Sequence, residues 1–486
     1  MEIPDIMCSL SPWWSDTFLI PFLDGHILYL PRLGIAAGVE AKVGCMLTDL
    51  KAGRRVSEGE RDLAEIWIGA LDGIYCRARR VLPRDLPPFR PTHVTLSLTT
   101  GCSLRCVYCY ASAGEGSVRH MQFEIAQSAI EMAARNAKDT GEAAFNISFH
   151  GEGEPTHNWP LFKACVEAGE TLATEYSLCV DFTMSTNAVW GRTQRDFIGR
   201  HFKRLSVSLD GLPNVQDRQR PTPSGRGSFG LVRASLRALD EARVTYGLRA
   251  TVLPDGLEDM LPFLEWAATN TRTDFLSFEP VFENGRGGGL RFDRHAFYKR
   301  FGEVYRRVQV RAAELNIAVG YSGCRPTIAN GHFCQATGPN PNFVVMSDGT
   351  VSSCYEIKDA KSSKGRFTVY GRWDPKRHGF ILDSDRLDRI RQFGVWDLPN
   401  CRNCFAKWNC GGDCIARCDA AFGGMLEYRP PRCELNRVTT FDEIVRRSAA
   451  ADIGCASGLG STGGPQSNSV QGGLDGQPEE FHNRND

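Results

Sequence analysis

The stretch VTLSLTTGCSLRCVYCY, residues 94–110, decides how this chain is read. A short apolar run of strand character, VTLSL, opens into a loop that carries Cys102, Cys106 and Cys109 in CxxxCxxC spacing. Three thiolates on one loop can hold three corners of an iron-sulfur cubane, whereas a 4Fe-4S cluster in an ordinary electron carrier takes four cysteines. A compact trio with no fourth cysteine beside it points to one iron left open for another ligand. Taken by itself, the spacing also suits a zinc knuckle or a buried thiol trio.

Working outward, short apolar runs alternate with amphipathic stretches from Thr92 to about Phe282. VTLSL is followed by Phe123 to Ala137, FNISF by Leu161 to Glu175, VDFTMS by Gln194 to Phe202, LSVSL by Phe229 to Ala242, and YGLRATVL by Leu257 to Ala268; FLSFEPV closes the series. Strand-helix units in a row predict an α/β fold with a parallel sheet and right-handed crossovers. The unusual residues cluster just after strands, where barrels place their sites, so a partial (β/α)6 TIM-type barrel is expected rather than an open sheet.

The motifs at those strand ends resemble the radical SAM superfamily, whose open cluster iron chelates the amino and carboxylate groups of S-adenosylmethionine (SAM). The second strand ends in FHGEGEPT, where Gly151, Gly153, Glu154 and Pro155 resemble the glycine-rich GGEP segment that receives the SAM amino group; Glu152 stands where many relatives have Gly. The third ends in STNA, with Ser185, Thr186 and Asn187 matching the ribose-contacting segment. The fourth supplies Ser208 and Asp210, and Arg220 follows in DRQRP, where the resemblance implies an arginine fork for the methionyl carboxylate. Tyr108 matches the aromatic that precedes the last cluster cysteine and lies near adenine, and Val252 in RATVL is expected beside the adenine or in the core. The order, one motif per consecutive strand end, carries the resemblance.

A second cysteine group lies downstream. Cys334 is followed by Gly349 and Cys354, and NCRNCFAKWNCGGDC holds Cys401, Cys404, Cys410 and Cys414, with Cys418 and Cys433 beyond. This pattern resembles the SPASM extension of radical SAM enzymes, an auxiliary-cluster domain. The resemblance implies that Cys401, Cys404, Cys410 and Cys433 hold one auxiliary iron-sulfur cluster and that Cys334, Cys354 and Cys414 serve another. That second set is one ligand short: Cys324 or Cys418 completes it, or the cluster is open or of the two-iron type. Structural zinc is the alternative for these thiols.

On this reading the chain divides into an N-terminal α+β segment (1–90), a radical SAM partial barrel (91–290), a connecting helix (291–320), a cysteine-rich iron-sulfur domain (321–440) and a disordered tail (453–486). The first segment shows TFLIPF and HILYLP around Leu23-Asp24-Gly25, a hairpin signal, then a helical stretch from Glu58 to Arg80. It is expected either to cap the barrel or to add a peptide leader along a sheet edge. The proline-rich VLPRDLPPFRP reads as a linker, and the cysteine-rich region has too little apolar periodicity to fold without bound metal. The tail is low in apolar residues.

Lys plus Arg and Asp plus Glu both number 57 in 486 residues, which gives no basic field for nucleic acid. No long uncharged apolar run and no signal-like N-terminus is visible, so a cytoplasmic location without membrane contact is expected. Eighteen cysteines without a secretory signal argue for metal or redox use rather than disulfides. Cys8, Cys45, Cys76, Cys165, Cys179 and Cys455 fall outside both groups and are read as structural or incidental.

The resemblance implies a peptide or protein substrate, a 4Fe-4S cluster, one or two auxiliary iron-sulfur clusters, SAM, and a low-potential electron donor such as flavodoxin or ferredoxin. Its members include maturases of ribosomally made peptides, which form thioether or carbon-carbon crosslinks, and anaerobic sulfatase maturases, which make formylglycine. The sulfatase type has an Asp after the Gly-xxxx-Cys cysteine, proposed as its base. Here Tyr355 follows Cys354, with Glu356 next, which favours peptide crosslinking or a related oxidation. The alternative from another class is a noncatalytic zinc scaffold or iron-sulfur carrier.

Overall fold

The computed structural model describes residues 12–77, 86–325, 331–357, 361, 363–415 and 432–456. Among these residues the strands form two sheets, one of three strands and one of eleven.

The large sheet is built around β4 (His93–Leu96), β5 (Ala144–Phe149), β6 (Cys179–Thr186), β7 (Arg204–Ser208), β8 (Thr245–Val252) and β9 (Phe275–Pro280), all parallel and adjacent in chain order. Helices α3 (Phe123–Thr140), α4 (Trp159–Tyr176), α5 (Arg192–His201), α7 (Phe229–Ala242) and α8 (Met260–Asn270) cover it. Their buried faces follow helical periodicity; on α3 the buried residues are Ile125, Ala126, Ala129, Ile130, Ala133, Ala134 and Ala137, mostly alanines, which let the helix lie close on the strands. The six strands and five of the helices match the sequence expectation, with α8 starting at Met260 rather than Leu257, after a 3-10 turn at Pro254–Gly256. The short α6 (Pro213–Gln219) was not expected.

The sheet order is linear, and β4 does not pair with β9, so the barrel is partial. Both free edges are extended. The connecting segment contributes more than the expected helix: α9 (Arg294–Glu314) leads into β10 (Ala318–Gly320), which pairs parallel with β9. At the other edge β11 (Val344–Val345) pairs parallel with β4, and β12 (Thr350–Ser352), β13 (Val369–Asp374) and β14 (Gly379–Leu382) follow antiparallel. The cysteine-rich region thus shares backbone hydrogen bonds with the barrel, among them Thr95 N–H to Phe343 O at 2.9 Å. It also has a small apolar cluster of Val344, Met346, Tyr355, Ile357 and Val369, more core than its sequence suggests.

The N-terminal hairpin of β1 (Phe18–Phe22) and β2 (Gly25–Leu30) turns at Leu23 and Asp24. A third strand, β3 (Ile35–Glu40), and helices α1 (Ala41–Lys51) and α2 (Arg61–Arg77) complete the unit. Leu28 and Leu30 pack towards α1, whereas Ile27 and Tyr29 pack with Phe405 and Ile444. Tyr29 Oη donates to Asn409 Oδ1 at 2.6 Å, and Lys407 Nζ lies 2.6 Å from Asp16 Oδ1. These contacts are with the cysteine-rich region and with the C-terminal helix, α10 (Cys433–Ala456). That helix runs four residues into the stretch expected to be disordered; residues 457–486 and the linker's 81–85 lie outside the described residues.

Candidate active site

The cysteine trio sits where the parallel strands point, on the loop between β4 and α3. The loop is clamped from two sides. Arg105 N–H donates to Pro221 O (2.7 Å) and Val107 N–H to Gln219 O (2.9 Å); Arg286, from the glycine-rich turn after β9, donates through Nε to Cys106 O (2.8 Å) and through its backbone N–H to Cys109 O (3.0 Å). Hydrogen-bond donors approach the sulfurs: Leu104 N–H and Asn187 Nδ2 reach Cys102 Sγ at 3.4 and 3.5 Å, and Ala113 N–H reaches Cys109 Sγ at 3.5 Å. Burial, with the neighbouring thiols adding, pushes the Cys102 thiol up to about 11 and the Cys106 thiol to about 12.

The trio lines a cavity of about 270 Å³ together with Tyr108, Gly151, Gly153, Glu154, Ser185, Asn187, Ser208 and Arg220. Cys334, Cys354 and Cys414 line the same cavity. The two cysteine groups, more than two hundred residues apart in sequence, therefore face one space.

Within that space several side chains have partners the sequence did not reveal. Glu154 is buried, and its Oε1 accepts from Thr156 Oγ1 (2.9 Å) and Thr186 Oγ1 (2.8 Å) while Oε2 accepts from Asn187 N–H (2.8 Å). It staples the end of β6 to the GGEP-like turn. Arg220 Nε lies 3.1 Å from Asp210 Oδ1, and its guanidinium stands 5.5 Å from the centre of the Tyr108 ring. Tyr108 Oη donates to Asp210 Oδ2, and burial raises this phenol well above its usual range. Asp210 also accepts from Gln219 Nε2 and Thr251 N–H, both at 3.0 Å, so the arginine expected to wait for a carboxylate already has one.

Glu152, where many relatives have Gly, joins the barrel to the cysteine-rich region. Its Oε2 accepts from Ser97 Oγ (3.1 Å) and Ser347 N–H (3.0 Å), and its Oε1 from Arg119 Nη2 (3.2 Å). The flanking glycines are needed for close approach. Gly151 has φ 149°, and a Cβ on Gly153 would lie 2.2 Å from Gly101 O and 2.6 Å from Thr99 O, both backbone atoms of the cysteine loop. Gly153→Ala is expected to lower stability by about 1–3 kcal/mol, the usual cost of overpacking. A denaturant titration checks it, with Gly288→Ala as the control because nothing lies within 4 Å of that position.

Two placements correct the sequence reading. Val252 is 3 % exposed, packs in the barrel core and does not line the cavity; Arg249 and Thr251 do. Side chains alternate along a strand, and on β8 the inward face holds the odd-numbered positions. Cys324 lines neither cysteine cavity. It lies beneath α10, accepting from Thr440 Oγ1 at 3.5 Å. Cys418 lies outside the described residues.

Sequence reasoning also missed His150 and Arg286. The His150 ring stacks on Tyr355 with centroids 4.7 Å apart, forming an aromatic wall beside Cys354. Burial and the nearby Arg249 lower its pKa to about 4, which keeps it neutral at pH 7.

A second cavity, of about 210 Å³, is lined by Cys401, Cys404, Cys410 and Cys433, with Cys334 on the partition between the two. The loop from Cys410 to Cys414 turns through three consecutive left-handed residues, Gly411, Gly412 and Asp413, which sends one cysteine into each cavity. Among the described residues no three His, Cys, Asp or Glu converge on the position of a single ion. Nor is any described helix long and apolar enough to cross a membrane.

Comparison with known proteins defines the class. Residues 96–267 match the model of the Radical SAM superfamily, and this stretch of the chain is a radical SAM domain. Over 361 residues, 71 % of this chain and 84 % of the relative, it is 21 % identical to a serine-type anaerobic sulfatase-maturating enzyme of Klebsiella aerogenes. The chain spans 56 % of the length of an uncharacterized Methanocaldococcus jannaschii protein, at 28 % identity over 183 residues. Among solved structures the fold is similar to AdoMet-bound anSMEcpe, with TM-score 0.59, 17 % identity and coverage of 76 % of this chain and 96 % of that one. It is also similar to AdoMet-bound SuiB of Streptococcus suis, with TM-score 0.50, 14 % identity and coverage of 87 % and 97 %.

Proposed function

We propose that this enzyme modifies a peptide or protein by hydrogen abstraction, acting as a maturase of a ribosomally made peptide that forms a crosslink or a related oxidation. The observation that carries this reading is the shared cavity, lined both by Cys102, Cys106 and Cys109 and by Cys334, Cys354 and Cys414. The residues fit a 4Fe-4S cluster at the trio: three cysteines with N–H donors at their sulfurs face a space with room for a further ligand. When bound, that cluster and SAM supply a 5′-deoxyadenosyl radical able to take a hydrogen atom from a substrate carbon. Cys401, Cys404, Cys410 and Cys433 would hold an auxiliary cluster, and Cys334, Cys354 and Cys414 another with one position left open. Sulfurs that ring cavities suit multi-iron clusters, in which each corner iron takes one thiolate, better than one tetrahedral ion.

The chain's own residues shape the space. Asn187, Ser185 and Ser208 offer polar contacts for a ribose, and Tyr108 offers a ring face. Arg220, neutralised by Asp210, orients by hydrogen bonding rather than by net charge. The His150–Tyr355 wall excludes water next to Cys354. A peptide substrate is supported by two structural neighbours, anSMEcpe solved with a Cp18Cys peptide and SuiB with the precursor peptide SuiA. Formylglycine formation is the second reading, favoured by the span of the Klebsiella relative and opposed by Tyr355 at the position of that type's Asp. Flavodoxin or ferredoxin would supply the electron.

The test is anaerobic reconstitution with iron and sulfide, followed by dithionite reduction with SAM. About eight to twelve irons per chain and formation of 5′-deoxyadenosine are expected. Zinc without acid-labile sulfide would mean a scaffold, and iron without SAM cleavage a carrier.

A further inference from the structure

Between the two cysteine cavities runs a buried polar chain that the proposed chemistry does not use. Arg432, 1 % exposed, donates through Nε to Asp413 Oδ1 (2.9 Å) and Oδ2 (3.0 Å), and through Nη2 to Oδ1 (2.6 Å). Its Nη1 reaches Ser322 Oγ at 3.2 Å and Glu279 Oε2 at 3.5 Å, at the end of β9. Asp413 accepts further from the Cys414 N–H (2.6 Å) and from Asn436 Nδ2 (3.1 Å). The same Asn436 nitrogen lies 3.2 Å from Cys410 Sγ. On its other side Tyr321 Oη donates to Asn436 Oδ1 at 2.6 Å.

This arrangement leaves the amide one orientation. A carboxylate paired with a guanidinium offers only acceptors, so the amide nitrogen must face Asp413 and the oxygen must face the tyrosine hydroxyl. The N–H directed at Cys410 is therefore imposed by the network. All of these groups are buried, and in a low-dielectric interior a hydrogen bond to anionic sulfur is strong. It favours the more negative, reduced state of a cluster over the oxidised one.

We propose that Asn436 sets the reduction potential of the auxiliary iron-sulfur cluster held by Cys401, Cys404, Cys410 and Cys433, by donating its amide N–H to Cys410 Sγ in an orientation locked by Tyr321 and the Asp413–Arg432 pair. The inference rests on the reading of that cavity as a cluster site. Asn436 is a positioning residue, because it acts through the cysteine sulfur and not on substrate.

The experiment is an EPR-monitored potentiometric titration of the full-length reconstituted protein, in a background where Cys102, Cys106, Cys109, Cys334 and Cys354 are alanine so that the trio's cluster and the second auxiliary cluster are absent. Asn436→Leu keeps the side chain's size and removes the donor. Its midpoint is expected to fall by at least a tenfold change in the ratio of reduced to oxidised cluster at fixed potential, about 59 mV for a one-electron couple, with iron and sulfide contents unchanged. Tyr321→Phe keeps the ring over Arg432 but releases the amide, and its midpoint is expected to fall by less. A fully loaded Asn436→Leu protein with an unchanged midpoint overturns the inference alone. If that variant loses its cluster, an unchanged midpoint in Tyr321→Phe overturns it. A parent protein that binds zinc and no iron at these cysteines overturns both the inference and the cluster reading.

Discussion

Cys106→Ala is expected to abolish SAM cleavage, with 5′-deoxyadenosine falling to the level of the cluster-free protein and iron content dropping by about four per chain. Cys106 is the most buried of the three thiols, and the polypeptide around it is rigidly held: its carbonyl accepts from Arg286, and the residues on either side bond to Gln219 and Pro221. Among the described residues no further cysteine lies on that loop, and Cys334, Cys354 and Cys414, which line the same cavity, belong to other segments. The check is anaerobic iron analysis and product chromatography on parent and variant prepared side by side. Irons that remain, at about four to eight, would report on the auxiliary sites in isolation.

Arg432→Met is expected to have the largest effect on folding, a loss of about 3–5 kcal/mol, because it leaves Asp413 buried without its counter-charge. The damage would spread to both cysteine cavities, since Asp413 holds the backbone at Cys414 on one side and Asn436, with its bond to Cys410, on the other. Adding Asp413→Asn to Arg432→Met is expected to recover part of the loss. The double variant no longer buries the Asp413 charge, Glu279 keeps its bonds from Ser322 N–H and Oγ, and Asn tolerates the left-handed conformation, φ 68° at this residue, better than most. Denaturant midpoints of the two reconstituted variants, compared with the parent, measure both effects. A single variant as stable as the parent would show that the pair is not what holds the loop.

Much of the site was legible because its motifs are local. Cys102, Cys106 and Cys109 are close in sequence, the GGEP-like segment follows its strand by two residues and the STNA segment spans the end of its own, so reading the strand ends placed them on one side of the sheet. Parity along a strand was harder. Val252 and Thr251 are neighbours, and which of them faces the cavity depends on the direction in which the sheet curves. Tyr108 and Arg220 were found as site residues, yet their common partner Asp210 makes them a closed set rather than a free fork. The attachment of β11 to β4 escaped detection because a two-residue strand shows no period.

The chain's order of residues was sufficient to establish a parallel α/β partial barrel, a cysteine trio at its first strand end and a separate cysteine-rich region downstream. These features are written within runs of a few residues, where periodicity and spacing are read directly. That the two cysteine groups share one cavity, that Cys324 stands apart from it, and that Arg432, Asp413 and Asn436 connect one cavity to the other were decided by tertiary packing alone. Hydrogen bonds and contacts between residues such as Arg286 and Cys106, 180 positions apart, arise only when distant segments are brought together. Local propensity has no term for such pairs, because their energy comes from burial that exists only in the folded chain.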